Sequence, residues 1–260
     1  MDLMTIIGLL GGACTIYFVM YSGGILHMLF DPIAAVLVFG GTISATMIAY
    51  PWKVIRQTPR ALRFVFFPPR HAEEDMLEIV NTLTAMAEKA KRQSIESLEE
   101  DIPGLKNSFI AQGLQMVVDG LERNVVQEHL EKEILYARQR QAKLAGVFRT
   151  MATLSPIFGL LGTLIGVVQV LRNLSDPTSM GQSMAIAITT TFYGIFAANF
   201  LFLPVAIKLN EQTEHEIMGR ELVAEGILAI HEGSIPMLVK KRLTAFLSTK
   251  ERAKTSGDRK

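Results

Sequence analysis

Met151–Leu171 reads MATLSPIFGLLGTLIGVVQVL. After a polar break at Arg172–Gly181, Gln182–Leu209 reads QSMAIAITTTFYGIFAANFLFLPVAIKL. Each arm has the roughly 20 mainly apolar residues that a helix needs to cross a bilayer. Neither Met151–Leu171 nor Gln182–Ile207 contains Asp, Glu, Lys, Arg or His. Both carry a file of small and hydroxyl residues. In the first arm Pro156, Gly159, Thr163, Gly166 and Val170 recur at three- or four-residue steps, which puts them on one helix face. Ser183, Ala187, Thr191, Gly194 and Ala198 do the same in the second. Helices surfaced in this way approach closely, with hydroxyls inside the contact.

Working outward, the 260 residues are 49% hydrophobic and 20% charged. That is too apolar for an ordinary soluble domain and too charged for one wholly in lipid. Membrane helices with a sizeable soluble part are expected. The net charge of +1 provides no field for nucleic acid, and none is expected as a partner. The single cysteine, Cys14, excludes an internal disulfide, and no Cys/His metal set is present. Met1-Asp2 is not a basic leader, so the first apolar run is read as a retained helix.

That run is Leu3–Met20, with Gly8 and Gly12 as a GxxxG pair, and a second run is Ile33–Tyr50. The predicted architecture is therefore an all-α integral membrane protein with four transmembrane helices. A helical cytoplasmic insertion separates helices 2 and 3, and a helical C-terminal tail follows. Expected boundaries are 1–50, a hairpin of helices 1 and 2; 51–148, the cytoplasmic region; 149–209, a hairpin of helices 3 and 4; and 210–260, a C-terminal helix with a disordered tail from Ser248. Lys53, Arg56, Arg60, Arg63 and Arg70 follow the second run, with no acid before Glu73. The positive-inside rule places this stretch in the cytoplasm. Trp52, Phe64, Phe66 and Phe67 beside it are read as an interfacial belt. Both termini then lie inside, and the short loops Ser22–Asp31 and Arg172–Gly181 outside. In the insertion, Met76, Ile79, Val80, Leu83 and Met86 repeat at helical spacing, and Phe109–Leu121 and Val125–Phe148 read as helices, the last continuing into the third span. Ile217, Leu222, Ile227, Leu228 and Ile230 predict an amphipathic helix after Pro204.

No catalytic constellation appears, so an enzyme is not expected. The histidines are scattered, and Ser155 lacks a GxSxG context. An ion pathway fits better. Intramembrane carboxylates are the usual relay for protons or Na⁺, yet these two arms offer only hydroxyls (Ser155, Thr163, Ser183, Thr189, Thr190, Thr191), prolines and the amide of Asn199. Two readings stay open on the residues alone. The hydroxyls are packing glue, or they flank a carboxylate lent by another protein.

The motifs SPxxGxxGTxxG (Ser155–Gly166), LSDP (Leu174–Pro177), TTxYG (Thr190–Gly194) and FxP (Phe202–Pro204) resemble helices 3 and 4 of flagellar stator subunits of the MotA/PomA/MotP family. The resemblance covers most of the chain. It implies about five copies ringed around a MotB/PomB-type partner, whose single transmembrane helix carries the ion-binding aspartate. It implies rotation against the rotor protein FliG, residence in the bacterial inner membrane, and no cofactor beyond the coupling ion. ExbB and TolQ, energisers of TonB- and Tol-type systems, share the GTxxG helix and provide the alternative.

Residue by residue, Pro156 and Pro204 match the family's prolines linked to torque and conformational change. Thr163 matches the third-helix threonine of Na⁺-type subunits, and Thr190 and Thr191 the fourth-helix pair. Ser155 accompanies them in the pathway. Thr163 and Thr191 are the expected Na⁺-coordinating hydroxyls, because Na⁺ needs several oxygen ligands where a proton needs only a carboxylate. Na⁺ is favoured over H⁺ on that ground. EKAKRQSIESLEEDIP (Glu88–Pro103) resembles the rotor-contact segment, which puts Lys91 and Arg92 at its basic positions and Glu96, Glu99 and Glu100 among its acids. On the residues alone, the same cluster also reads as a solvated helix face with pairs such as Glu88–Arg92.

Overall fold

Asp31 opens the second apolar helix. Its carboxylate accepts from the N–H groups of Ile33 and Ala34, and Pro32 occupies the first helical position, where its missing N–H costs nothing. The helix runs through Pro32–Ala49 with a π-helical segment at Val36–Gly40. The computed structural model describes residues 3–24, 30–66, 72–172, 176–249 and 252; all of its regular elements are helical. The chain divides into two compact units, one of Met1–Pro68 with Gln141–Glu211 and one of Pro69–Arg140 with Gln212–Lys260.

The first unit holds the membrane helices. Three helices are long and apolar enough to span: Pro32–Ala49, Arg123–Arg172 and the continuous run Thr178–His231. Four were expected from the sequence. Leu3–Ser22 is an apolar helix of 20 residues, of which the fully described stretch is Ile7–Ser22, shorter than these three. The third predicted helix is the membrane half of one 50-residue helix, Arg123–Arg172. The fourth begins at Pro177, five residues before the predicted Gln182, because the Asp176 carboxylate caps it by accepting from Thr178 N–H. Residues 51–68 belong to this unit. In the amphipathic helix Thr58–Phe66, Ala61 and Val65 turn inward onto Ala145, Phe148, Val205, Ala206 and Leu209.

The second unit has a conventional apolar core. From helix Ala72–Arg92 come Met76, Val80, Leu83 and Ala87, at steps of four, three and four residues. Ser108–Val118, capped by Asn107, adds Phe109, Ile110 and Leu114. Ile217, Leu222, Ile227 and Ile230 close it from Leu203–His231, with Leu243 from Pro236–Thr244. The predicted amphipathic stripe is thus the inner wall of this core; of its five residues only Leu228 is partly exposed. The inserted segment does not bury a core alone, as its size leads one to expect. Outside the core, Arg123 and Arg242 both grip Glu232, at 2.8 and 3.2 Å, and Arg138 meets Glu214 and Glu221, both at 3.3 Å. The expected disordered tail lies almost wholly outside the described residues, as do Phe67 and Arg70.

Candidate ion pathway and rotor-contact segment

The two predicted small-residue files face each other. A Cβ placed on Gly159 would stand 2.9 Å from the Thr190 carbonyl oxygen and 3.1 Å from Thr191 Cα. One on Gly194 would stand 2.7 Å from the Ser155 carbonyl oxygen and 3.2 Å from Pro156 Cα. Gly162 faces the Thr190 side chain, and Gly166 faces Ala187 and the Ser183 carbonyl. Backbones this close leave no room for a side chain, which is why glycine stands at these positions. The contact is a ladder with Gly194 and Gly159 at one end and Gly166 at the other.

The hydroxyls along this ladder are partnered through their protons. Thr163 Oγ1 donates to Leu160 O at 2.6 Å and Thr190 Oγ1 to Ala187 O at 2.8 Å. Thr191 Oγ1 lies 3.4 Å from Gly159 O across the contact and 3.3 Å from Ala187 O in its own helix. A hydroxyl that donates to a carbonyl keeps its oxygen lone pairs for another ligand. No hydrogen bond joins Thr163 to Thr191 among the described residues, and they lie at different levels of the ladder. Thr190 is fully buried, whereas Thr163 and Thr191 are half-buried.

Ser155 differs from all of these. Its side chain is fully buried, and its Oγ has no hydrogen-bond partner. A buried polar atom left this way is costly and needs a reason. Pro156 follows it inside the helix, where the absent N–H leaves the Ala152 carbonyl without its usual donor. Pro204 meets the same difficulty differently. Ala197–Phe202 is π-helical, and Leu203 N–H reaches back five residues to Ala198 O. That wider turn lets the helix continue through the proline into Leu203–His231. The Asn199 amide bonds Ile195 O of its own helix.

Two features of this unit were not foreseen in the sequence. The π-helical segments at Val36–Gly40 and Ala197–Phe202 carry no distinctive residue pattern, although Pro204 marks the second after the fact. Tyr193 is the other. Its hydroxyl accepts from Asp31 N–H at 3.4 Å, and its ring lies 6.4 Å from Phe39, tying the fourth helix to the start of the second. Only its place in the TTxYG motif hinted at a role.

In the other unit, the predicted rotor-contact residues lie at the end of Ala72–Arg92 and in the 3₁₀ turn Glu96–Glu100. Lys91, Arg92, Glu96, Glu99 and Glu100 are all exposed, while Leu98 between them is fully buried and anchors the turn. Lys89 pairs with Asp101 at 2.6 Å. Lys91 donates to the Gly233 carbonyl at 3.2 Å, where a positive φ closes the helix ending at His231. Arg92 has no ion pair among the described residues, so the Glu88–Arg92 link expected of a plain solvated face does not form. The Ser94 hydroxyl, followed by the backbone N–H of Glu96 itself, holds the Glu96 carboxyl below the usual carboxylate range. Basic and acidic side chains therefore stand exposed together in this segment.

The chain thus joins an acid-free pair of membrane-length spans, packed through a glycine ladder with hydroxyls in it, to a charged helical unit. The description "MotA/TolQ/ExbB proton channel family" matches residues 101–222, and "Motility protein A N-terminal" matches 3–94. The chain belongs to this family, and within it to the flagellar stator subunits. Motility protein A of Treponema pallidum is 34% identical over 97% of this chain and 96% of its own length. Chemotaxis protein PomA of Vibrio alginolyticus is 33% identical over 97% and 98%. Among solved structures, C. jejuni MotAB superposes with a TM-score of 0.87 at 25% identity, covering 96% of this chain and 97% of that one. The Bacillus subtilis MotAB stator complex gives 0.83 at 28%, covering 98% of each.

Proposed function

We propose that this stator subunit is the Na⁺-coupled wall of a rotary unit. It surrounds a MotB/PomB-type helix that lends the aspartate its own membrane helices lack. The observation that carries the reading is the chemistry of the ladder. Met151–Leu171 and Gln182–Ile207 hold no Asp, Glu, Lys, Arg or His, yet Thr163 and Thr191 direct their protons into carbonyls. Their lone pairs, with the carbonyl freed by Pro156, make an oxygen-rich lining of the kind a hard cation accepts. The unpartnered Ser155 hydroxyl adds a group that gains when a polar guest passes. The protein catalyses no bond chemistry. Its work comes from the potential, about 2.3 kcal/mol per charge per 100 mV, together with the Na⁺ gradient.

In this reading Leu3–Ser22 crosses the inner membrane as a fourth span, tilted or in thinned bilayer, and both termini are cytoplasmic. About five copies form the ring. Exposed Arg92, Lys91, Glu96, Glu99 and Glu100 engage FliG through weak, rapidly exchanged charge contacts, suited to stepping. The match of residues 3–94 to the motility-protein N-terminal model favours the motor over an ExbB-type energiser.

Motor speed in a strain powered by this subunit and its partner, followed against Na⁺ at fixed pH, tests the proposal. Speed should rise and saturate with Na⁺. Thr163→Ala should move the half-maximal Na⁺ upward by about tenfold, the effect of losing one ligand worth roughly 1.4 kcal/mol. Speed indifferent to Na⁺ but responsive to pH would make this a proton motor and the threonines packing glue.

A further inference from the structure

The basic stretch after the second span has no part in the ion pathway or the rotor contact. No Asp or Glu occurs between Asp31 and Glu73. Pro51 ends the span, a helical turn Trp52–Ile55 follows, and Thr58–Phe66 then packs Ala61 and Val65 inward. The burial of those two residues fixes the outward side of the helix. Arg60 and Arg63 project there and are exposed, as are Lys53 and Arg56 before them. None of these four cations has an ion pair or hydrogen bond among the described residues. Three of them share a hollow of about 370 Å³ lined by Trp52, Lys53, Arg56, Gln57 and Arg60.

We propose that this hollow is a binding site for the phosphodiester headgroup of an anionic phospholipid. Arg56 and Arg60 supply planar forks that match phosphate oxygens, and Lys53 adds a third positive charge. Gln57 offers an amide to a headgroup hydroxyl. Trp52 is 67% exposed and stands three residues beyond the end of Pro32–Ala49, the level at which indoles sit in membranes. The hollow therefore opens where acyl chains and headgroups meet. Its volume is within the range of small-ligand sites. A zwitterionic headgroup brings its own cation into a site that already holds three and has no acid to receive it. The preference is thus for net negative lipid such as phosphatidylglycerol. The inference requires only that Pro32–Ala49 spans a membrane, and its failure leaves the stator reading untouched.

The test is equilibrium binding of three probes to the purified full-length protein in complex with its partner subunit in neutral detergent. They are dioctanoyl phosphatidylglycerol, dioctanoyl phosphatidylcholine and glycerol 3-phosphate. Phosphatidylglycerol should bind at least about tenfold more tightly than phosphatidylcholine, and more weakly as NaCl is raised. Arg56→Gln with Arg60→Gln should weaken it by about 30-fold, while Arg56→Lys with Arg60→Lys should keep most of the affinity. Equal binding of the two lipids overturns the proposal, as does full affinity in the double Gln variant. Glycerol 3-phosphate binding as tightly as phosphatidylglycerol overturns the lipid as occupant in favour of a soluble phosphate. If the Gln variant loses its fold, lipid preference and salt dependence of the wild type and Lys pair decide.

Discussion

The two units bury their helices by opposite means. Where the third and fourth membrane helices meet, the contact residues are Gly159, Gly162, Gly166, Ala187 and Gly194, and the polar atoms lie inside it. In the other unit the contact residues are Leu83, Leu114, Leu130, Leu222, Ile227 and Leu243, fully or almost fully buried, and the ionic groups lie outside. Water explains the second arrangement, because removing large apolar side chains from it drives packing. Lipid explains the first. Hydrocarbon gives Leu no reason to leave it, so helices associate through close backbone approach and hydroxyls. Ile48, Leu160, Leu164 and Ile188 accordingly remain exposed in the first unit.

The widest gap between the units should appear on truncating a large aliphatic side chain. Leu222→Ala removes a fully buried side chain and should lower stability by about 2–5 kcal/mol. Ile48→Ala removes one that is 89% exposed and should stay within about 0.5 kcal/mol. Thermal unfolding of the purified proteins in detergent compares them. Equal losses would mean that both units are held by the same force, and the contrast would fall.

Adding one methyl group reverses the ranking. Gly194→Ala drives a Cβ against the Ser155 carbonyl and the Gly159 and Pro156 backbones, none of which can swing aside. About 1–3 kcal/mol of destabilisation is expected, with impaired swimming. Gly219→Ala, in the helix Leu203–His231 with nothing within 4 Å of the new atom, should stabilise by up to about 1 kcal/mol. Opposite signs for the same substitution would sharpen the comparison; a harmless Gly194→Ala, in both melting and motility, would break it.

Much of this was legible in the sequence because both packing rules leave periodic traces. The files Pro156–Gly159–Thr163–Gly166 and Ser183–Ala187–Thr191–Gly194 predicted which faces meet. The stripe Ile217–Leu222–Ile227–Ile230 predicted a buried face without naming what covers it. Illegible features depend on three-dimensional closure. Whether Ser155 finds a partner depends on atoms far along the chain, and the sequence showed only a hydroxyl beside a proline. Lys89, Lys91 and Arg92 are equivalent cations as letters; the turn at Glu96–Glu100 brings Asp101 to Lys89 and leaves Arg92 free. The π-helical turn before Pro204 resolves a clash that the sequence announces without saying how it is relieved.

The smallest expected effect tests the claim that charge in the second unit decorates the fold rather than holding it. Glu232 joins Arg123 from one helix to Arg242 from another, with its side chain 31% exposed. Loss of water raises the carboxyl's pKa, but the hydrogen bonds and charges of Arg242 and Arg123 outweigh this and hold it below its ordinary value. A folded-state pKa below the unfolded one means the ionised carboxylate favours the folded form. Its contribution is complete above the unfolded value of 4.5 and fades as pH falls through the lower folded value. Such a partly exposed pair contributes at most about 1 kcal/mol. Glu232→Gln should therefore lower the unfolding midpoint slightly at pH 7, and the difference from wild type should shrink in acid below the ordinary carboxylate range. A loss at pH 7 as large as that of Leu222→Ala, or one that persists undiminished in acid, would show that ionic linkage rather than buried aliphatic surface holds Pro236–Thr244 in place.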